Sequence, residues 1–363
     1  MIATEFVSTP HPAPLAERER IEILKEPGFG RHFTDHMFVM RWQAGRGWHD
    51  AEIKQRQAFS IDPANAILHY GQEIFEGLKA YKTTDSRIFL FRPEQNAQRF
   101  AESATRMAMP ALPTELFVRA IEALVTADRN WVPSGDGSLY IRPFMFADDV
   151  FLGVRPARAY TFCIIASPAG PYFKGGSKAV KVWVEDTYTR AGYGGTGAAK
   201  CGGNYAASLA AQAKAIEHDC DQVIFLDAAE RRWIEELGGM NVFFVTNDGG
   251  LITPPVDGTI LRGITRDSIL TLARQAGRRI EERKIAFDEF RDGVRDNRIV
   301  ECFACGTAAA VAGIGRICRG EGDFVIGSGS TGPVTEELRN QLVAIQRGHA
   351  PDENGWRHEV SGG

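Results

Sequence analysis

Cysteine is scarce in this chain, with six in 363 residues: Cys163, Cys201, Cys220, Cys302, Cys305 and Cys318. So few thiols exclude a disulfide framework and read as the reduced cysteines of a cytoplasmic protein. No run reaches the roughly 18 consecutive apolar residues of a membrane span, and the stretch from Met1 to Arg20 has no apolar core of signal-peptide length. Neither sign of charge dominates, with 42 Lys and Arg against 46 Asp and Glu and a net charge of -4. That balance argues against nucleic acid or an anionic membrane as the main partner. Repeats and low-complexity segments are also missing. What remains is a globular composition, 44% hydrophobic and 24% charged, in a chain long enough for two cores.

Residues 1–28 are rich in proline and then alternate in charge at Glu17-Arg18-Glu19-Arg20, the pattern of a solvated arm. A small domain is expected over 29–167. Within it Lys79 to Lys82 and Arg87 to Phe91 read as paired strands. Pro93 opens a helix running to about Met107. A second helix follows Pro113, with Phe117, Ala120, Ile121 and Leu124 on one face. Strands follow at Ser138–Phe146 and Ala159–Ala166. The turn-forming residues of 168–177 read as a linker, and a larger domain is expected over 178–363. It has strands at Val180–Val184, Val223–Leu226, Val242–Val245 and Ile299–Ala304. Its helices are one after Asn204, with Leu209, Ala210, Ala213 and Ile216 at helical spacing, and another over 265–276. Strands and helices mix without a βαβ rhythm, so the fold class is α+β (mixed α/β), not doubly wound.

The most informative stretch is Lys200-Cys201-Gly202-Gly203-Asn204-Tyr205. A lysine before a glycine pair that opens a helix can form a Schiff base with a carbonyl cofactor, and pyridoxal 5'-phosphate is the usual one. Cys201 adjoins that amine and reads as a reactive thiol. Gly192 to Gly197 matches G-x-G-x-x-G, but no helix opens from it, so a glycine-rich loop beside the lysine is the better reading than a dinucleotide fingerprint. Gly263-Ile264-Thr265 enters a helix and offers backbone N–H groups to a phosphate. The plain alternative is a glycine turn with Thr265 as N-cap. Gly306-Thr307-Ala308 is read as a second such turn. Glu235 and Glu236 read by themselves as a surface pair, although a buried carboxylate would hold a pyridine nitrogen protonated. Cys302 and Cys305 sit three apart in a predicted strand, on opposite faces, and no second pair completes a zinc site. No other metal site is expected. His32 and His36 read as structural or surface histidines.

Taken together, these residues resemble the branched-chain amino acid aminotransferases, pyridoxal phosphate enzymes of fold type IV. The matching blocks run in order from about residue 29 to about 345. They are Phe33-Thr34-Asp35-His36-Met37, HYGQEIFEGLKAY from His69 to Tyr81, Phe91-Arg92-Pro93 through Arg99, and Tyr140-Ile141-Arg142-Pro143-Phe144. Then come KCGGNYAASL at 200–209, DQVIFLD at 221–227, TPPVDGTILRGITRDS at 253–268 and FACGTAAAV at 303–311.

The resemblance implies a smaller N-terminal α/β domain, a larger C-terminal pseudo-barrel and a cofactor at the domain interface. It implies reversible transamination of leucine, isoleucine and valine with 2-oxoglutarate. It makes Lys200 the catalytic base and cofactor anchor, Glu236 the partner of the pyridine nitrogen and Tyr205 the partner of the phenolic oxygen. Arg99, Ile264, Thr265 and Thr307 would bind the phosphate. Phe33, Tyr70, Phe75 and Tyr140 would line the side-chain pocket. Arg142 would meet the second carboxylate of glutamate, and Ala308 and Ala309 the α-carboxylate. It also implies a homodimer in which the partner's Phe151-Leu152-Gly153-Val154 loop closes the pocket. Arg262 and Gly239 depart from residues common in the family, proline and threonine, and Ala309 and Ala312 replace a cysteine pair of the vertebrate enzymes. Within the fold type, a D-amino acid aminotransferase or an aminodeoxychorismate lyase is the alternative.

Overall fold

The computed structural model describes residues 6–170, 179–320 and 322–361. The chain forms two compact units. One is made of Met1–Tyr172, Ala199–Gly202 and Ile345–Gly363, the other of Phe173–Ala198 and Gly203–Ala344.

The first unit is built on a nine-stranded sheet. Its path runs Val7–Ser8, Gly47–Gln55, His36–Gln43, Ala159–Ala169, Ser138–Ala147, Leu78–Lys82, Ile88–Phe91 and Arg357–Glu359, with Glu73–Phe75 joined to Ser138–Ala147. Every pairing after the first is antiparallel. Two helices cover it, and the sequence explains both. Pro93 stands at the first position of the helix Pro93–Arg106, where its missing N–H costs no bond. Ala97, Phe100 and Ala104 recur every three or four residues and are buried. The helix Thr114–Ala127 buries Phe117, Ala120, Ile121 and Leu124, the face expected from its spacing. Phe100, Phe117 and Phe162 pack with ring centroids 5.3 to 6.1 Å apart, each burial worth about 1.5–3 kcal/mol.

Two expectations change here. Within the expected solvated arm, Val7–Ser8 pairs with Glu52 and Ile53, and Glu17–Lys25 is a helix. Phe6, Leu15, Ile23 and Leu24 pack on the core and outweigh the alternating charges. The linker does not begin at 168, because Pro168 and Ala169 still pair with Leu139 and Ser138. On the other side the strand His36–Gln43 pairs as far as Ile164, and beyond it single bonds join Thr34 N–H to the Ala166 carbonyl and Gly170 N–H to the Gly28 carbonyl, with Pro168 between them where its missing N–H leaves no ladder bond unmade. The remainder of that linker, 171–177, lies outside the described residues. His36 is a satisfied histidine, as expected, with Nδ1 2.7 Å from Asp128.

The second unit also has a nine-stranded sheet. Its path runs Ile234–Leu237, Gln222–Leu226, Val180–Glu185, Ala310–Cys318, Ile299–Gly306, Asn241–Thr246, Leu251–Thr253 and Ile280–Glu282, with Phe324–Val325 on Ala310–Cys318. Val180–Glu185 runs parallel to both its neighbours, whereas the hairpin Ile299–Gly306/Ala310–Cys318 is antiparallel. A mixed sheet without regular βαβ order agrees with the α+β class. The helix after Asn204 turns a different face inward from the one expected. On Leu209–Glu217, Ala211 and Ala215 are buried against Trp183, Val223 and Phe225, while Leu209 and Ile216 are about two-thirds exposed. Trp183 and Phe225 already fill the space beneath this helix, so alanine fits the contact where leucine would overpack it. Cys302 and Cys305 are both buried, and burial pushes the Cys305 thiol up to about 12. Among the described residues no group of three or more His, Cys, Asp or Glu could hold a metal ion.

Candidate active site

The first unit carries the lysine. Ala199 and Cys201 are buried in its core, 2% and 1% exposed, and fix the backbone on either side of Lys200. The Lys200 N–H donates to Ser103 Oγ at 2.9 Å, and the Lys200 carbonyl accepts from the Phe75 N–H at 2.9 Å. The Gly202 N–H donates to the Glu73 carboxylate. A Cβ at Gly202 would collide with that carboxylate, so the first glycine of the pair is required by close approach. Cys201, expected as a reactive thiol from its neighbour's charge, is buried in the core and anchors the segment there.

Lys200 Nζ lies 4.7 Å from the Phe75 ring centroid, and the Arg142 guanidinium carbon lies 4.7 Å from the same centroid. Arg142 also donates to the Tyr140 hydroxyl at 3.0 Å. The sheet register explains this gathering: Phe75 pairs with Phe144, and Tyr140 and Arg142 project from the same strand two residues apart. Among the described residues Arg142 Nε is buried without a hydrogen-bond partner. Tyr70 is 38% exposed, its hydroxyl donates to the Leu152 carbonyl and its ring stacks on Phe151 at 6.1 Å. The loop expected to serve a partner is therefore tied to Tyr70 of its own chain, while Leu152 and Val154 project outward, 67% and 91% exposed. Phe33 lines a cavity of about 410 Å³ with Arg31, His32, Arg56 and Trp131. The aromatic of that segment that packs on Tyr140 is Phe29, at 5.0 Å.

Arg99 is buried and its Nε and Nη2 grip Glu76 at 2.7 and 2.8 Å. Glu76 is fully buried and also accepts from Asn96 Nδ2 at 2.8 Å. Burial by itself would raise the Glu76 carboxyl. Arg99 overrides this, helped by the Lys200 charge and Asn96, and holds it below the usual carboxylate range. Glu73 goes the other way: burial raises it, and the Gly202 N–H and Arg142 only partly offset that. Neither glutamate was singled out in the sequence. The available signal was two carboxylates inside the apolar block from His69 to Tyr81.

The second unit carries a buried acid. Glu236 is 2% exposed and Glu235 8%, so the expected surface pair is a buried pair. Charge compensation makes this burial tolerable. Arg190 Nη1 lies 2.9 Å from Glu236 Oε1, the Leu261 N–H donates to Oε1 at 2.9 Å, and Asn241 Nδ2 donates to Oε2 at 3.2 Å. Arg190 has no sequence signature beyond a cation ahead of the glycine-rich loop. That loop turns back through Gly195 N–H to the Gly192 carbonyl, and the next helix begins only at Gly202, so the helix that a dinucleotide fingerprint requires directly after the motif does not follow it. Tyr205 sits half-buried on the short helix Gly202–Ala206, its ring beside Gly239.

Gly263 is the N-cap of the helix Ile264–Gln275, with no side-chain cap. Thr265 therefore lies inside the first turn and is not the N-cap, because Gly263 already occupies the extended conformation that position needs. A Cβ at Gly263 would strike the Asn241 side chain. Gly263→Ala is accordingly expected to displace Asn241 from Glu236, at a cost of about 1–3 kcal/mol, measurable by urea unfolding together with a pyridoxal phosphate titration. Thr307, Ala308 and Ala309 form the turn of the hairpin between Ile299–Gly306 and Ala310–Cys318. No helix follows them, so this turn differs from the one at Gly263.

A buried, hydrogen-bonded carboxylate and a helix N-terminus without a side-chain cap fit a protonated pyridine ring bearing a phosphate. The comparisons with known proteins agree. A family model described as amino-transferase class IV matches residues 73–317. A probable branched-chain-amino-acid aminotransferase of Streptomyces coelicolor is 51% identical over 354 residues, covering 97% of this chain and 98% of that protein. The branched-chain-amino-acid aminotransferase of Mycolicibacterium smegmatis is 50% identical, covering 97% of each. Among solved structures, the Escherichia coli branched-chain amino acid aminotransferase superposes with a TM-score of 0.74 at 28% identity, covering 89% of this chain and 99% of that one. The T.th. enzyme of the same name, solved with pyridoxamine 5'-phosphate, gives 0.73 at 27% identity, covering 89% and 98%. The chain belongs to the class IV aminotransferases. Its cofactor is pyridoxal 5'-phosphate and its fold is that of fold type IV.

Proposed function

We propose that this enzyme transfers the amino group of L-leucine, L-isoleucine and L-valine reversibly to 2-oxoglutarate, giving branched 2-oxo acids and L-glutamate. The single observation that carries this beyond the family is the grouping of Lys200, Phe75, Tyr140 and Arg142. It sets an amine, an aromatic wall and a guanidinium together, as a pocket for an apolar side chain in one half-reaction and a second carboxylate in the other requires. The names of the relatives favour this substrate class over a D-amino acid or an aminodeoxychorismate.

The cofactor, when bound, supplies an electron sink that stabilises negative charge at the substrate Cα. Lys200 is the amine that would hold it, and its Nζ would be the base that removes the substrate's Cα proton. Glu236, kept in place by Arg190, Asn241 and the Leu261 N–H, holds the pyridine nitrogen protonated. Tyr205 donates to the phenolic oxygen. The first turn at Ile264 and Thr265, with Thr307, binds the phosphate, and Ala308 and Ala309 receive the α-carboxylate. Arg99 adds its charge to the phosphate while two of its nitrogens serve Glu76. That Lys200 and Glu236 act on one cofactor is supported by family membership. Phe33 and Tyr70 line the side-chain end, and a homodimer in the cytoplasm goes with the same reading.

The test is the visible absorbance of the purified holoenzyme before and after L-leucine. A cofactor band that shifts to shorter wavelength on adding leucine, and returns with 2-oxoglutarate, is the expected result. A band indifferent to leucine would sink the substrate class, and no band with added pyridoxal phosphate would sink the cofactor assignment. Arg142→Gln separates the two halves: the KM for 2-oxoglutarate is expected to rise about 10- to 100-fold, from the loss of a charge-assisted bond. That for leucine should change only a few-fold. Equal changes in both would remove Arg142 from carboxylate recognition.

A further inference from the structure

The strand Glu73–Phe75 brings a carboxylate to the grouping of Lys200, Phe75, Tyr140 and Arg142, and none of the roles above uses it. Alternation along the strand turns Glu73 and Phe75 to one face and the buried Ile74 to the other. The neighbouring strand is in register with it. Glu73 pairs with Phe146 and Phe75 with Phe144, so Arg142, Phe144 and Phe146 share the face on which Glu73 and Phe75 lie. The Arg142 guanidinium leans over the Phe75 ring, 4.7 Å from its centroid, which carries it toward Glu73.

The charges around Phe75 divide into two sets. Glu76 is paired with Arg99 and feels the Lys200 charge. Glu73 feels the Arg142 charge, yet among the described residues no ion pair joins the two. Arg142 donates to the neutral Tyr140 hydroxyl, and Glu73 accepts the Gly202 N–H. A carboxylate and a guanidinium that attract each other are thus each tied to a neutral group. A direct bidentate pair would occupy the fork of the guanidinium. Separation leaves that fork open to an incoming carboxylate while a negative charge stays within its field. The incoming carboxylate is attracted by Arg142 and repelled by Glu73. An apolar side chain carries no charge and responds to neither.

We propose that Glu73 is a specificity-determining residue of this pocket: held off Arg142 by the Gly202 N–H, its negative charge weakens the hold on the second carboxylate of a dicarboxylic substrate and leaves the hold on an apolar side chain unaltered. Arg142 receives that carboxylate in the reading proposed above, on which this role rests. In a ping-pong cycle the diacid must leave before the apolar substrate can enter. A tempered grip keeps the dicarboxylic product from occupying the pocket.

Calorimetric titration of the pyridoxal phosphate holoenzyme with glutarate, and separately with 4-methylpentanoate, reads the two grips without turnover. Glu73→Gln keeps an oxygen for the Gly202 N–H and removes the charge. It is expected to bind glutarate about three- to tenfold more tightly than wild type, and 4-methylpentanoate within about twofold. The KM for 2-oxoglutarate should fall by the same factor as the glutarate Kd, with that for leucine nearly constant. Glu73→Asp keeps the charge and should stay near wild type for glutarate, whereas a merely structural role would move both variants alike. Should Glu73→Gln fold poorly, Glu73→Ala removes the same charge and is read with the same two ligands. Unchanged or weaker glutarate binding without the charge, equal shifts in the Gln and Asp variants, or equal shifts for both ligands would each overturn the role of Glu73 and leave the substrate reading standing. A wild type that binds neither ligand would sink the substrate reading and this role with it.

Discussion

Lys200→Ala is expected to lose leucine-dependent turnover by about 10²–10⁴-fold from missing proton transfer alone, with a further loss because the cofactor is no longer held by its amine. The backbone of this residue is fixed independently of its side chain, by Ser103, Phe75 and the buried Ala199 and Cys201. The variant should therefore fold as the wild type does, which unchanged far-ultraviolet dichroism and melting would show. Cofactor absorbance and steady-state rate would then report the chemistry of Nζ. Partial recovery by added methylamine is expected, since a small free amine can stand in for the missing one. Full activity of Lys200→Ala without rescue would remove Lys200 from the reaction. Cys201→Ala is the companion control: turnover should stay within a few-fold, because Cys201 acts as core packing.

Glu76→Ala is expected to show the largest stability loss of any single change around this lysine, about 3–5 kcal/mol, because it leaves the Arg99 charge buried without its carboxylate. Arg99→Ala should cost a similar amount by stranding Glu76. The double replacement by methionines should cost much less than the sum, since neither charge is then left unmatched. Urea unfolding of the wild type, the double methionine variant and the single variants Glu76→Met and Arg99→Met completes the cycle, and additive losses would show that the pair does not act as a unit. The pH dependence has a definite sign. The Glu76 carboxyl is held below its ordinary value in the folded chain. The pair's contribution is thus complete above the unfolded-state pKa and is lost as pH falls through the folded one. Wild type should lose stability toward acid faster than the double methionine variant.

Much of the framework could be read from one sequence because its signals are local. Pro93 and the spacing of Ala97, Phe100 and Ala104 mark a helix and its inner face, and the turn Thr84-Asp85-Ser86 between Lys79–Lys82 and Arg87–Phe91 marks a pair of strands. Lys200 stood out by its glycine pair, and the structure supplies a reason for the first of the two, Gly202, in the Glu73 carboxylate. What could not be read depends on partners distant in the chain. The burial of Glu236 needs Arg190, 46 residues earlier, and Leu261, 25 residues later. The burial of Glu76 needs Arg99 and Asn96. An isolated carboxylate in sequence is rightly expected at the surface, and only a matching charge brought by the fold reverses that. The helix Leu209–Glu217 failed for a related reason. Periodicity gives several apolar faces, and the available space beneath Ala211 and Ala215 selects among them.

The lysine segment is also late in the order of synthesis. The sheet to which Ala199–Gly202 is fastened begins with residues near the N-terminus, yet its last strand, Arg357–Glu359, pairs with Phe89–Phe91 across more than 260 residues. The first unit thus cannot complete its sheet on the ribosome until almost the whole chain has emerged. Contacts of that sequence separation close slowly. During translation the edge of Ile88–Phe91 stays unpaired, which leaves it open to chaperone capture or to mispairing with another nascent chain.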